Sequence, residues 1–224
     1  MNKVTIALDG PSGAGKSSLA KAIANRLGIV YLDTGALYRT VGLFAKQNNV
    51  DPHDESAVEP LLASLDIDVK IEDGAQQVYL NGTRVGDAIR TPEMSMYASA
   101  VSALPSVREF LLDTQRAFAR RSSVIMDGRD IGSVVLPNAD VKIYLTASDE
   151  VRAARRVKEL IEKGQSVTFE EVLSDMKKRD HADSTRAAAP LKQADDAVVL
   201  DNSTLDFDGT VERALEIISE KTER

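Results

Sequence analysis

The sequence predicts an α/β fold in which a central parallel sheet is flanked by helices. Three observations predict it. Short runs rich in Val, Ile and Leu at residues 4–8, 29–32, 124–126, 141–145 and 198–200 read as buried strands. Segments with helical periodicity separate most of them. Strands that alternate with helices pair in parallel and need cover on both faces. The 224 residues suit one or two domains and suffice for a sizeable core.

The run at 4–8 ends at Asp9-Gly10, and a helix is expected over 17–27. Leu19, Ala20, Ile23, Ala24 and Leu27 fall on one face of it, and Gly28 is its stop. The strand at 29–32 leads to a helix over 36–47 and a weaker one over 55–65. The pattern then changes. Segments 68–72, 77–81 and 83–85 are separated by Asp73-Gly74 and Asn81-Gly82, both hairpin-turn dipeptides. A small antiparallel β unit is therefore expected as an insertion. Helical patterns resume at 92–103 and 106–120, and later at 149–163, 168–179 and 210–221. The pair spanning 149–179 is rich in arginine, breaks at Gly164 and shows no long apolar stripe. The last helix reads as cover for the core.

Hydrophobic residues make up 43% and charged residues 28%, as in ordinary soluble domains. The net charge of −7 argues against a grip on long nucleic acid, which favours basic proteins. Without cysteine there is neither a disulfide framework nor a zinc–thiolate site. No apolar run approaches the roughly 18 residues of a membrane span. The first residues lead into a strand without a secretory signal pattern, so a cytoplasmic protein is expected.

Gly10-Pro11-Ser12-Gly13-Ala14-Gly15-Lys16-Ser17 lies between the first strand and the first helix. Its glycines allow a tight turn that points N–H groups inward, and the helix N-terminus adds positive potential. Lys16 can reach the β- and γ-phosphates of ATP, and the Ser17 hydroxyl can ligate Mg²⁺. Three readings follow: a phosphotransferase for a small molecule, a nucleotide switch such as a GTPase, or an ATP-binding module. No guanine-reading Asn-Lys-x-Asp follows the motif.

The arginines favour the transferase. Arg39 follows the second strand, and Asp127, Arg129 and Asp130 follow the strand at 124–126. Ligands of open α/β sheets bind beyond the carboxyl ends of the strands. Arg152, Arg155 and Arg156 share a helical face at i, i+3, i+4, and Arg179, Asp183 and Arg186 lie near the end of the next helix. Such an array of guanidinium groups suits two phosphorylated ligands, because phosphoryl transfer depends on positioning and charge stabilisation. Blander readings stand beside these. Arg120, Arg121 and Arg108 could be solvated, Ser99 could serve helix packing, and Asp183 with Arg186 could be a surface pair. His53 and His181 are isolated and carry no assignment.

IALDGPSGAGKSS, YLDTGALYR, IRTPEMSMYASAVSALPSVRE, IMDGRDIGSVVLPNADVKIYLTAS, RDHADSTRAAAPL and VVLDNSTL together resemble the bacterial cytidylate kinases over nearly the whole chain. The resemblance implies ATP-dependent phosphorylation of CMP and dCMP with Mg²⁺ and no strong general base. It implies a P-loop kinase with a core at 1–34, 104–148 and 180–224, and a CMP-binding domain at 35–103. The β insert at about 68–85 would belong to that domain, and 149–179 would form a short helical lid. By the same resemblance Gly10 through Ser18 would hold ATP, and Lys16, Arg129, Arg155 and Arg179 would serve transfer. Arg39, Arg129 and Arg179 would hold phosphate groups, chiefly of CMP, while Ser99, Arg108 and Asp130 would read cytosine. Asp183 would contact the ribose with Arg186 nearby, and Thr34 would replace a more usual serine with its hydroxyl kept. Asp127 would sit near Mg²⁺ or fix its own loop. Partners would be nucleotides only, with no membrane, and a monomer is expected. The alternative is a P-loop kinase for another acceptor, such as a different nucleotide or shikimate.

Overall fold

The computed structural model describes residues 3–72 and 74–223. In chain order the elements are β1 (Thr5–Asp9), α1 (Lys16–Leu27), β2 (Val30–Asp33), α2 (Thr34–Gln47), α3 (Glu55–Leu62), β3 (Ile67–Glu72), β4 (Ala75–Leu80) and β5 (Thr83–Arg84). There follow a 3-10 turn (Gly86–Ile89), α4 (Pro92–Val101), α5 (Pro105–Arg121), β6 (Val124–Gly128) and a π-helical turn (Ile131–Val135). The chain continues through β7 (Val141–Thr146), α6 (Asp149–Glu162), α7 (Phe169–Thr185), β8 (Val198–Asp201) and α8 (Phe207–Thr222). One sheet has the order β2-β6-β1-β7-β8 and the other is β3-β4-β5. The chain divides into two compact units, one of residues up to Ile29 with those from Ile125 onward, the other Val30–Val124.

In the first unit β1 and β7 run parallel with Asp9 opposite Tyr144, and β7 and β8 run parallel with Thr146 opposite Asp201. The carboxyl ends of β7 and β8 are therefore level, β1 ends two residues short of them, and the Gly10–Gly15 loop leaves from that edge. Ile6, Leu8, Ile125, Met126, Ile143 and Leu145 are fully buried, as expected of strands covered on both faces. On α1, Leu19, Ala20, Ile23 and Ala24 are buried, but Leu27 is 39% exposed. Leu27 is the last residue of the helix, which Gly28 ends in the left-handed region at φ 64°.

Two features of this unit differ from the sequence reading. The helix expected to end at Arg179 runs on to Thr185. The pair α6 and α7 also has a small core of its own: Ala153, Leu160, Val172 and Met176, flanked by Val157, Phe169 and Leu173. The apolar positions are split between two helices, so neither shows a long stripe alone. Gly164, left-handed at φ 76°, turns the chain between them as expected.

The second unit centres on Leu37, Val41, Val101, Val107 and Leu111, with Val78 and Leu80 of β4 in the same cluster. The antiparallel insert is present, with Ile67 opposite Leu80 and Glu72 opposite Ala75. Asp73 of the expected Asp73-Gly74 turn lies outside the described residues; Asn81 and Gly82 form the second turn with φ 48° and 78°. Gly42 lets α2 and α4 approach closely, since a Cβ there would lie 2.8 Å from the Tyr97 Cβ. Among the described residues no helix is long and apolar enough to cross a membrane.

Candidate active site

The loop after β1 is shaped by contacts that exclude side chains. Gly10 has φ 150°, and a Cβ on it would lie 2.0 Å from the Leu145 carbonyl oxygen. Gly13 has φ 73°, and a Cβ there would meet the Met176 methyl at 2.6 Å. Gly15, at φ 94°, caps α1 without a side-chain hydrogen bond, and the first turn holds no acidic residue. The helix therefore begins with unneutralised N–H groups and its positive dipole end. Pro11 and Ala14 are buried, whereas Ser17 and Ser18 face solvent.

Lys16 is buried and donates from Nζ to the Pro11 carbonyl at 2.6 Å. Burial, with the Arg129 charge beside it, pushes its ammonium well below its usual range against the pull of Asp127, Asp9 and Asp180. Phosphate oxygens in this cradle would supply the missing negative charge. The Ser17 hydroxyl donates to Asp127 Oδ2 at 2.8 Å. This hydroxyl–carboxylate pair fits magnesium, which takes oxygen ligands and is commonly held by one or two carboxylates together with nucleotide phosphates. No group of three or more His, Asp or Glu side chains suited to a metal occurs among the described residues, and such a site does not require one.

Beyond β6, Arg129 donates from Nε to Asp183 Oδ2 at 2.8 Å. Arg186 donates to Asp130 at 3.3 Å and stands 4.0 Å from Asp183. The side chains of Asp183 and Arg186 are 7% and 6% exposed, so the surface-pair reading does not hold. Burial opposes ionisation of Asp183, but Arg129, Arg179 and Arg186 together hold its carboxyl below the ordinary range. Arg179 is pushed down to about 10, by burial first and then by the Arg129 charge. Its Nε is buried without a hydrogen-bond partner among the described residues, so its charge invites an anion.

The three arginines expected on one face of α6 are held apart by different partners. Arg152 is buried and bonds to the Ser12 carbonyl at 2.6 Å, Asp180 at 2.5 Å and the Ala147 carbonyl at 3.1 Å. Its donors are engaged in structure. Arg155 grips Asn202 through its side-chain oxygen at 2.9 Å and its carbonyl at 2.8 Å. Arg156 pairs with Glu159 at 2.7 Å.

The remaining candidates lie in the second unit. Thr34 is buried at the start of α2, and Arg39 pairs with Asp33 at 2.8 Å. Ser99 is half-buried on α4, and its carbonyl accepts from the Ser102 hydroxyl. Arg108 is not a purely solvated arginine: it donates to the Ser102 carbonyl at 3.1 Å and lies 5.7 Å from the Tyr38 ring centroid. Arg120 and Arg121 lie in the last turn of α5, and His53 is exposed, as is His181 of the first unit.

Four residues escaped the sequence reading. Asp9 accepts from the Ile131 N–H at 2.8 Å and the Gly132 N–H at 2.7 Å, which anchors the π-helical turn beside Arg129 and Asp130. Asp180 accepts from the Ser12 N–H at 2.9 Å, so that it and Arg152 bind both main-chain groups of Ser12. Asn202 donates to the Ala14 carbonyl at 3.2 Å. Gln76 binds Asp33. Asp9 stands directly before the glycine loop, which is the only signal the sequence offers for any of them.

A glycine cradle with a buried lysine at the carboxyl edge of a parallel sheet, next to a paired arginine–carboxylate cluster, defines a P-loop kinase. The cytidylate kinase family profile matches residues 6–220, and the chain belongs to that family. A cytidylate kinase of Caldicellulosiruptor bescii is 49% identical over 217 residues, covering 97% of this chain and 96% of the relative. One of Thermosipho melanesiensis is 50% identical over 216 residues, covering 96% of this chain and 97% of the relative. The solved structure of an uncharacterized protein from Eubacterium ventriosum shares the fold, with a TM-score of 0.54 at 14% identity over 97% of this chain and 99% of that one.

Proposed function

We infer that this chain catalyses the ATP-dependent phosphorylation of CMP. The observation that carries the reading is the pairing of a phosphate cradle around Lys16 with the Arg129–Asp183–Arg179 cluster, in a member of the cytidylate kinase family. We propose that dCMP is also accepted.

Residues 10–18 hold the ATP phosphates through main-chain N–H groups, and Lys16 neutralises charge on the β- and γ-oxygens. Ser17 and Asp127 would hold Mg²⁺, which supplies charge neutralisation at the phosphates when bound. Asp127 would keep the Ser17 hydroxyl turned toward that position. Arg129 and Arg179 stabilise charge on the phosphoryl oxygens. The acceptor oxygen is itself anionic near neutral pH, so no general base is needed. Arg39 binds acceptor phosphate. Ser99, Arg108 and Asp130 are proposed to read the base, Asp183 and Arg186 to serve the ribose end, and Thr34 to lie near the substrate. Arg155 is proposed to act from its Asn202 anchorage. The parts 35–103 and 149–179 are proposed as acceptor domain and lid, on a core of 1–34, 104–148 and 180–224, working as a cytoplasmic monomer.

ADP release measured against CMP, dCMP, UMP, AMP and shikimate tests the assignment. CMP is expected to give the highest kcat/KM. Higher turnover on any non-cytosine acceptor would move the chain to another substrate, and no turnover on all five would leave an ATP-binding module.

A further inference from the structure

Asp33 ends β2 and caps α2, accepting from the Ala36 N–H at 2.9 Å. Its other carboxylate oxygen accepts from Arg39 Nη2 at 2.8 Å. The main chain of Asp33 is held from far along the sequence. Gln76 Oε1 accepts from the Asp33 N–H at 2.6 Å, and Gln76 Nε2 donates to the Asp33 carbonyl at 3.2 Å. One carboxamide thus does what a neighbouring strand's peptide group would do, at the point where β2 gives way to a helix. The two bonds fix the amide's orientation, because only this one matches a donor to an acceptor at both ends.

Two further observations mark the Asp33–Arg39 pair as set for a ligand. A Cβ on Gly35 would lie 3.0 Å from Arg39 Nη1 and 3.2 Å from Asp33 Oδ1, so a side chain there would press on the pair. Arg39 Nε is buried and has no hydrogen-bond partner among the described residues. A buried guanidinium N–H without a partner is costly, and an anionic oxygen relieves that cost best.

We propose that Gln76 is a positioning residue for acceptor binding. Its carboxamide fixes Asp33, Asp33 aims the Arg39 guanidinium, and the unpaired Nε–H is left for an oxygen of the acceptor phosphate. The proposal rests on the reading of Arg39 as a phosphate binder. It gives the inserted sheet a part in substrate affinity, through a residue that never touches substrate.

Steady-state kinetics with CMP and ATP varied separately test this in Gln76→Met, Arg39→Ala and the double variant. Methionine keeps the bulk of glutamine and removes both hydrogen bonds. Gln76→Met is expected to raise KM for CMP roughly 5- to 10-fold, the size of one net hydrogen bond, and to leave KM for ATP unchanged. Arg39→Ala should raise KM for CMP further, and the double variant should be no worse than Arg39→Ala alone. An equal multiplication of KM by Gln76→Met in both backgrounds would mean that Gln76 supports only the fold, and the proposal falls. A raised KM in Arg39→Ala with a normal one in Gln76→Met overturns the positioning role and leaves the phosphate reading standing. A normal KM in Arg39→Ala overturns the phosphate reading itself. If Gln76→Met does not fold, Gln76→Glu is read in the same way, since it keeps the acceptor for the Asp33 N–H and loses the donor.

Discussion

At the residue scale the chemistry turns on charges taken out of water. Asp9 shows how one carboxylate organises a loop it does not belong to. Its two oxygens accept the Ile131 and Gly132 N–H groups, which begin the π-helical turn after Asp130. Burial raises its pKa from 3.8 to about 6, although both N–H bonds pull the other way. A carboxyl whose folded pKa is raised contributes stability below its unfolded pKa, and loses it as pH climbs through the folded value. The window is therefore about pH 4 to 6, and the loss is at most about 3 kcal/mol. Asp9→Asn removes the ionisation and costs one acceptor at every pH. Urea unfolding of both proteins from pH 4 to 7 should show the variant gaining on the parent as pH rises. A difference that stays flat across this range would mean that Asp9 does not titrate there. The glycine loop, Lys16 and the strand-end arginines stand out in the sequence because their types and spacing suggest a chemistry. Asp9, Asp180, Asn202 and Gln76 were not, because each acts on main-chain groups far away in sequence, and any polar residue could occupy their positions in a pattern.

At the scale of elements, what the sequence concealed is what only packing decides. The hairpin insert was plain from Asn81-Gly82, and β1 through β8 were placed to within a residue or two. The end of α7 was not plain, because Arg179, Asp180, His181, Asp183 and Ser184 offer no apolar period. The helix continues through them because Asp180 binds Ser12, and Asp183 binds Arg129. The π-helical turn was missed for the same reason, since Asp9 lies more than a hundred residues from Ile131. The α6–α7 pair is a related case: its shared cluster of Ala153, Leu160, Val172 and Met176 should make the two helices loosen together. Leu160→Ala opens a cavity there, and core truncations of this kind cost about 2–5 kcal/mol. Hydrogen exchange should therefore speed up in α7 as well as in α6, while β1 and β7 keep their protection. Faster exchange confined to α6 would show that the helices do not open as one piece.

At the scale of the whole molecule, the division into two compact units has a consequence for ligand-linked stability. Every group proposed to hold ATP and its magnesium belongs to the first unit, from the glycine loop through Lys16 and Ser17 to Asp127. The second unit has its own core around Leu37, Val101 and Leu111, and its own sheet. A ligand stabilises only those states that bind it, by about 2.7 kcal/mol at a hundred times its Kd. If the units open independently, ATP should protect the first and leave the second unchanged. Hydrogen exchange with Mg²⁺-ATP and no CMP is expected to slow in β1, α1 and α7. Exchange in β3, β4 and α5 is expected to match the free protein. Lys16→Ala supplies the control, because it weakens the ATP site with a change that lies within the first unit, and it should abolish the protection. Slowing of equal size in both units, lost in Lys16→Ala, would show instead that the chain opens as a single cooperative body, so that nucleotide bound at the glycine loop also stiffens the insert that carries Gln76.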